Sequence, residues 1–494
     1  MSSTEAIWYT FVVVACLIAM ADWRRGIYAG ILVDVLRDPV RKLVPEQPVV
    51  ITLSGALVWL TIVLFAVLSQ RRQTATLFRN YPGVRTALHL LVIALLPAFG
   101  ISCISYPRGW LMASIGGASY VIPTLGIVAG FVLSQKEEQI ERMLRFYIAA
   151  NVVMLISVPM EYMGVDVPAL GGIDNVWIRY RPGVIVNLMC GWYRSPDIMG
   201  LHAAHVIMFS LLLSIRRADN LRPVWIVSAV WAGFCVLLSG RRKMMGIPLI
   251  FVAVFLFLGM VYRVSRVSRL AGAAVLAATL GGAVMLYLWS PDEAEGYTEY
   301  ATSLFTESGE RANDLIITGT ITTLKQSGIV GAGLGTATQG RYYAGVQTSR
   351  GARGWQEDGV SRLFLEFGVP GVILLFCSVC LLVGAIGKSM RLLPPTTSQM
   401  VLQLGLVGIV AGDAASYAIS HQQFSGDPVS ALLVTMMVGM ILGVPASWFA
   451  AQKKHREALE AQAETQVKEQ PVDEGLMAIG SGTAQSEEGK KSWP

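Results

Sequence analysis

Long uninterrupted apolar runs constrain this chain more than any other feature. They fall at roughly 8–23, 48–69, 86–104, 109–134, 144–163, 198–215, 222–238, 244–262, 270–289, 367–387, 399–418 and 428–450. Each is close to the roughly 20 residues that an α-helix needs to cross a bilayer. Hydrocarbon offers the backbone no hydrogen-bond partner, so such runs fold as helices that satisfy their own N–H and C=O groups. The expectation is an all-α polytopic membrane protein with about twelve transmembrane helices and one long outer loop. Only 15% of the residues are charged, where a soluble chain carries about 25%.

The cations say which way the helices run. The connections 70–85, 135–145, 216–222, 263–269 and 388–391 hold 15 Lys or Arg and fall on one side of the expected bundle. The positive-inside rule makes that side cytoplasmic and places both termini there. It also accounts for the pI of about 9.0 without invoking nucleic acid. Segment 24–47 is polar, with an amphipathic piece GIYAGILVDVLRDPVRK, and reads as lying at the interface or re-entering. The first run, near 8–23, lacks a basic n-region and a cleavage site, so it reads as a retained span. Residues 1–450 form the membrane domain, and 451–494 a tail that is helical at first and then disordered. The six cysteines offer no disulfide framework or zinc site, since the one C-x-x-C, Cys377 and Cys380, lies inside an apolar run and reads as packing.

On this count LLSGRRKMMG, 237–246, lies at the outer surface, where Arg241, Arg242 and Lys243 run against the insertion bias. Guanidinium groups there can hold phosphate through bidentate, charge-assisted hydrogen bonds. The helix beginning near 244 adds its N-terminal N–H groups. Snorkelling to lipid headgroups is the alternative. The outer segment 290–366 is too long for a plain connector. In it, ERANDLIITGTITTLKQSG suits a helix lying over the bundle, with Leu315, Ile316, Ile321 and Leu324 toward it. IVGAGLGTATQG suggests a tight turn that brings backbone close to another element or a substrate. The outer stretch 179–205 carries Arg179, Arg181, Arg194 and Asp197, then His202 and His205 one helical turn apart. Neither a carboxylate nor a cysteine joins the two histidines at ligand spacing. They therefore read as a polar helix-end contact or a substrate hydrogen bond, not a metal site.

The order of these parts resembles the O-antigen ligase and O-antigen polymerase superfamily of membrane glycosyltransferases. The resemblance rests on GWYRSPDIMG before a mid-chain span, SGRRK between two spans, ERAND and GAGLG in the long outer loop, and EFGVPG entering the next span. It covers roughly 180–390. LVDVLRDPVRKLVPEQP resembles, more loosely, membrane proteins of bacterial exopolysaccharide gene clusters. The superfamily often places His-Asn before the E-x-G-x-P-G element. Those positions hold Glu357 and Asp358 here, and 290–366 contains no histidine.

The resemblance implies a glycosyltransferase-C-like plan in the bacterial inner membrane, with its site facing the periplasm. The donor it implies is a polyprenyl-diphosphate-linked glycan, polymerised without a metal or cofactor. Chain-length regulators and export proteins are the implied partners. Arg241 and Arg242 would bind the diphosphate, with Arg194, Arg181 and His202 assisting. Arg311 would support transfer, and Glu357, or second Asp358, would take the acceptor proton. A like-charged neighbour raises one carboxyl of such a pair toward a useful value. A ligase moving finished glycan to a lipid or protein acceptor is the nearest rival. A polysaccharide transporter or flippase is another class, for which charges near mid-membrane would be expected.

Overall fold

The computed structural model describes residues 2–173, 178–181, 184–216, 220–264, 313–337, 344–346, 356–425 and 427–469, with Gly272, Gly281, Gly282, Thr306, Gly309 and Glu310 as scattered positions. Ten of its helices are long and apolar enough to cross a membrane. They are α1 (Ser3–Ala21), α3 (Val49–Ser69), α5 (Pro82–Ser105), α6 (Gly109–Leu133), α7 (Glu137–Leu155) continued by α8 (Ser157–Tyr162), α9 (Pro196–Arg216), α11 (Arg242–Val261), α13 (Gly359–Met390), α14 (Ser398–Ile419) and α16 (Pro428–Glu469). Shorter or more polar helices are α2 (Trp23–Leu43), α4 (Arg71–Asn80), α10 (Arg222–Leu238), α12 (Gly319–Ser327) and α15 (Gln422–Ser425). The chain is thus a multi-pass helical membrane protein. Its one sheet among the described residues is the hairpin β1 (Ile178–Arg181) with β2 (Val184–Asn187), paired antiparallel. The expected span 270–289 lies outside the described residues, apart from three glycines.

The helices α1, α2 and α3 run up, down and up. Trp8 donates to Ser54 at 3.0 Å and Thr61 to Cys16 at 3.8 Å, so α1 and α3 run in parallel. On α2, Gly26 meets Ile62, Gly30 meets Trp59, and Arg37 lies against Gly55 while donating to the Thr52 carbonyl at 3.3 Å. That descending order makes α2 antiparallel to both neighbours. Segment 24–47 reads in sequence as a piece that lies at the interface or re-enters. Its polar residues instead follow one face of a helix that traverses the bundle, sheltered by α1 and α3. The extra crossing has a topological consequence. The start of α1 lies at the same end as 44–48, whereas α16 carries the first compact unit, Met1–Trp448, out at the opposite end. Within the first unit, this crossing adds one to the expected number, so the start of α1 and Trp448 fall at opposite ends. A second unit is Phe449–Pro494, whose described side chains, 449–462, are exposed.

Long-range contacts sort the connections into two ends. At the first end, Lys42 reaches the Gly191 carbonyl at 2.8 Å, Met189 donates to Leu238, and His421 donates to Glu357. At the second end, Arg216 pairs with Glu137, Gln399 donates to Glu137 at 2.7 Å, Lys388 donates to Asn80, and the Tyr81 hydroxyl donates to Leu442. The loops 70–85, 135–145 and 388–391 all belong to this second end.

The described part of the long loop packs down at the first end. A π-helical turn, Asn313–Thr318, leads into α12, which turns Gly319 and Thr323 inward. Of the expected apolar face, Leu315, Ile316 and Leu324 are half-buried, whereas Ile321 is 49% exposed. The glycine turn then wedges against α13. Gly331 has φ +86° and Gly368 φ +63°, and a Cβ on either would collide with the other's segment. Only glycine supplies both the positive φ and the closeness.

Candidate functional site

Segment 188–197, leading into α9, is pinned before its charged residues are presented. The Glu161 carboxylate accepts from the N–H groups of Cys190 at 2.8 Å and Gly191 at 2.5 Å. Ser157 accepts from Trp192 at 2.9 Å. Lys42 donates to the carbonyls of Ala169, Gly191 and Tyr193 at 3.2, 2.8 and 2.7 Å. This frame sends Arg194 inward. Its guanidinium meets Asp427 at 3.2 Å and Asp38 at 3.6 Å. Arg37 completes the cluster, paired with Asp34 at 2.8 Å and with Asp427. Burial pushes the Asp427 carboxyl up, but Arg37 and Arg194 together hold it down at about 2. Arg194, expected to assist with substrate, is therefore engaged with two aspartates.

The tripeptide Arg241–Lys243 stands where α10 turns into α11. Gly240 takes φ +55°, and Arg241 is the extended N-cap residue of α11. Asp197, from the first turn of α9, accepts from Arg241 at 3.1 Å and from Lys243 at 2.8 Å. Lys243 also reaches Ser420 at 2.8 Å and Gln423 at 3.4 Å. Arg242 is 8% exposed.

The expected acidic pair divides its duties. Asp358 is the N-cap of α13 and accepts from the Ser361 N–H at 2.6 Å. Burial raises its carboxyl, and that hydrogen bond opposes the rise. Desolvation is the largest cause of the shift. Glu357 is exposed, and its carbonyl accepts from the His421 N–H at 3.2 Å. The His421 ring nitrogen Nε2 donates to the Gln356 carbonyl at 2.9 Å. Burial, followed by the nearby Arg362 charge, lowers this imidazole to about 3, so it is neutral at pH 7.

The glycine turn does not present open backbone to a substrate. Glu366 fills it, accepting from Gly335 at 3.2 Å, Ala337 at 3.1 Å and the Tyr120 hydroxyl at 2.5 Å. Arg362 pairs with Glu366 at 3.7 Å and stacks over Tyr120 at 5.0 Å, rather than pairing with Asp358.

The histidines also differ from expectation. Both are buried inside the bundle, away from the helix end. Asp413 joins His205 at 3.0 Å from α14. The Tyr147 hydroxyl lies 2.7 Å from His202 Nδ1 and 3.4 Å from His205 Nδ1. His202 stacks on Tyr193. Among the described residues, no three His, Cys, Asp or Glu side chains form a metal-binding group. Arg311 lies outside the described residues, and of Arg181 only the backbone, in β1, is described.

One connection ties these parts together. In 420–427, Ser420 and Gln423 hold Lys243, His421 holds 356–357, and Asp427 holds Arg194 and Arg37. Sequence reading missed Arg37, Asp38, Glu366, Asp413, His421 and Asp427 as members. A signal existed for α2 alone: Asp34, Arg37, Asp38 and Arg41 fall at i, i+3, i+4 and i+7, one helical face. Compared with protein families and with curated proteins, the chain matches neither a family nor a relative.

Proposed function

We propose that this protein is a glycosyltransferase of the bacterial inner membrane that polymerises polyprenyl-diphosphate-linked repeat units. The observation that carries the reading is the convergence of 194–197, 241–243 and 356–358 on the connection 420–427. Those segments bring four cations, Arg194, Arg241, Arg242 and Lys243, and the carboxylate of Glu357 to one end of the bundle. The opposite end bears the basic connections, so the positive-inside rule makes the site face the periplasm. The N-terminus shares that outer side, and Trp448 the cytoplasmic one.

In this reading Arg241 and Arg242 bind the donor diphosphate, and Asp197 aims the Arg241 fork. An acceptor hydroxyl oxygen bonds to the anomeric carbon as the carbon–oxygen bond to the diphosphate breaks. Glu357, exposed at the mouth of α13, takes the hydroxyl proton. The arginines stabilise charge on the departing diphosphate, so the step needs no metal. Arg194 acts as a positioning residue, since two aspartates already occupy it.

The test is purified protein in vesicles supplied with lipid-linked repeats. A ladder of lengthening glycan is expected. Arg241→Ala and Arg242→Ala should abolish it while the protein accumulates, and Arg→Lys should restore only part. Lys243→Ala should be comparably damaging, because Lys243 joins Asp197 to the 420–427 connection. A normal ladder from the Arg241→Ala, Arg242→Ala double variant would overturn the reading.

A specific observation favours a second reading, transport. Asp413, His205, Tyr147 and His202 form a hydrogen-bonded chain of ionisable groups within the bundle, of the kind that marks proton-linked transporters. His205→Gln separates the two. It would abolish proton-linked substrate movement in a transporter and leave the ladder intact in a polymerase.

A further inference from the structure

The second end of the bundle holds a concavity that the proposed chemistry does not use. It is a cavity of about 160 Å³ between the start of α2 and the start of α7. Three guanidinium groups line it: Arg24 and Arg25 from α2, and Arg142 from α7. Neutral partners set the geometry of Arg24. Arg24 donates to Gln139 at 3.2 Å and stacks over Trp23 at 4.6 Å. The one lining carboxylate, Asp22, caps α2 by accepting from the Arg24 N–H at 2.9 Å, and it faces Arg25 at 3.6 Å.

Of the three acids of α7, Glu138 is exposed one helical turn before Arg142, and the other two are engaged away from the cavity. Glu137 and Glu141 both pair with Arg216, and Glu141 also lies 3.6 Å from Arg145. One flank of α7 is thereby neutralised, while the flank bearing Gln139 and Arg142 opens on the cavity. Three cations there meet one carboxylate already used as a cap.

The walls are amphiphilic. Beneath the arginines the cavity is floored by the buried Ile27 and Met143. Just before Asp22, α1 leaves Leu17 56%, Ile18 38% and Met20 50% exposed. The last turns of α1, which end at the lining residue Asp22, therefore carry exposed apolar side chains. A soluble phosphate would use the arginines and leave the apolar floor idle, whereas a phospholipid uses both.

We infer that this cavity binds the phosphate headgroup of an anionic phospholipid from the leaflet at the second end. The arginines hold the phosphate by charge-assisted hydrogen bonds, and the acyl chains lie along α1. The site is distinct from the candidate glycan site, which lies at the opposite end.

The test uses the full chain, delipidated in detergent and titrated with phosphatidylglycerol while bound lipid is counted by native mass spectrometry. One tightly held phosphatidylglycerol is expected, with phosphatidylcholine displaced readily. The Arg24→Gln, Arg142→Gln double variant should bind about tenfold more weakly or worse, since each substitution removes charge-assisted bonds. Arg24→Lys, Arg142→Lys, which keeps the charge and guards against misfolding, should fall between. The Arg71→Gln, Arg72→Gln variant, exposed on α4 at the same end, should bind as the parent does. Equal loss in that control, or undiminished binding in the double Gln variant, would overturn the inference. Glycerol phosphate competing as well as the whole lipid would make this a free-phosphate site and overturn the lipid assignment.

Discussion

Arg37 on α2 and Asp427 at the entry to α16 form an ion pair 390 positions apart in the chain, with side chains 1% and 0% exposed. Arg194 and Asp38 extend the pair into the segment that carries the site. The cluster therefore links the polar helix near the N-terminus to the connection that gathers the candidate residues.

Breaking that pair should be costly. Removing one partner of a buried ion pair strands the other, at about 3–5 kcal/mol. Arg37→Met or Asp427→Leu alone should sharply lower the thermal unfolding midpoint in detergent. The Arg37→Met, Asp427→Leu double variant should regain part of it, because both members of the pair are gone, although Asp34 still loses its guanidinium and Arg194 keeps only Asp38. A double variant as unstable as the worse single one would contradict pairing.

The crossing of α2 is open to a labelling test. Single cysteines at Ser3, Arg25 and Glu46, all exposed, should be placed in a cysteine-free background. Positions 3 and 46 should react with an impermeant thiol reagent from one side of the membrane, and position 25 from the other. Reaction of 25 and 46 from the same side would return α2 to the surface.

Glu357 and Asp358 should separate cleanly. Glu357→Gln removes a base without disturbing a cap, so polymer formation should fall about 10²–10⁴-fold while stability holds. Asp358→Ala should cost about 1 kcal/mol in stability through loss of the N-cap, and Asp358→Ser should recover it. Chain-length analysis and thermal unfolding of the same preparations report the two effects. Full-rate polymerisation by Glu357→Gln would remove it as the base.

Acid should destabilise the first end. His421 is held at about 3 by burial, against an ordinary 6.5. Between those values the unfolded chain binds a proton that the folded one excludes, so stability rises with pH across that window. The depressed Asp427 carboxyl adds a second loss only below about pH 4, where its unfolded form begins to protonate. Melting of the parent and of His421→Gln between pH 4 and 7 should show a shallower slope for the variant. Parallel slopes would refute the assignment to His421.

The helices were legible because hydropathy over about 20 residues is a local property. The α2 crossing was not, because its polar face is compensated by residues far along the chain. Lys42 is matched by carbonyls of 169, 191 and 193, and Arg37 by Asp427. The same holds for the site. The arginine tripeptide and the acidic pair stand out as strings, and their places at one end followed from counting spans. Asp358 looks like a free acid in sequence and is a cap in the fold, because capping depends on where α13 begins. The glycine turn was recognised as a close approach, but its occupant, Glu366, lies beyond any local pattern.

The pairing of Arg37 with Asp427 also orders the birth of the protein. Synthesis delivers α2 long before the segment that neutralises it, and a buried charge without its partner is costly. Asp34, one turn away at 2.8 Å, is the partner already present on the nascent chain. Until the final helix arrives, Arg37 therefore has Asp34 as its partner and waits for Asp427. Chains truncated before 427 would leave Arg37 without its distant partner, giving membrane quality control a built-in mark of unfinished synthesis.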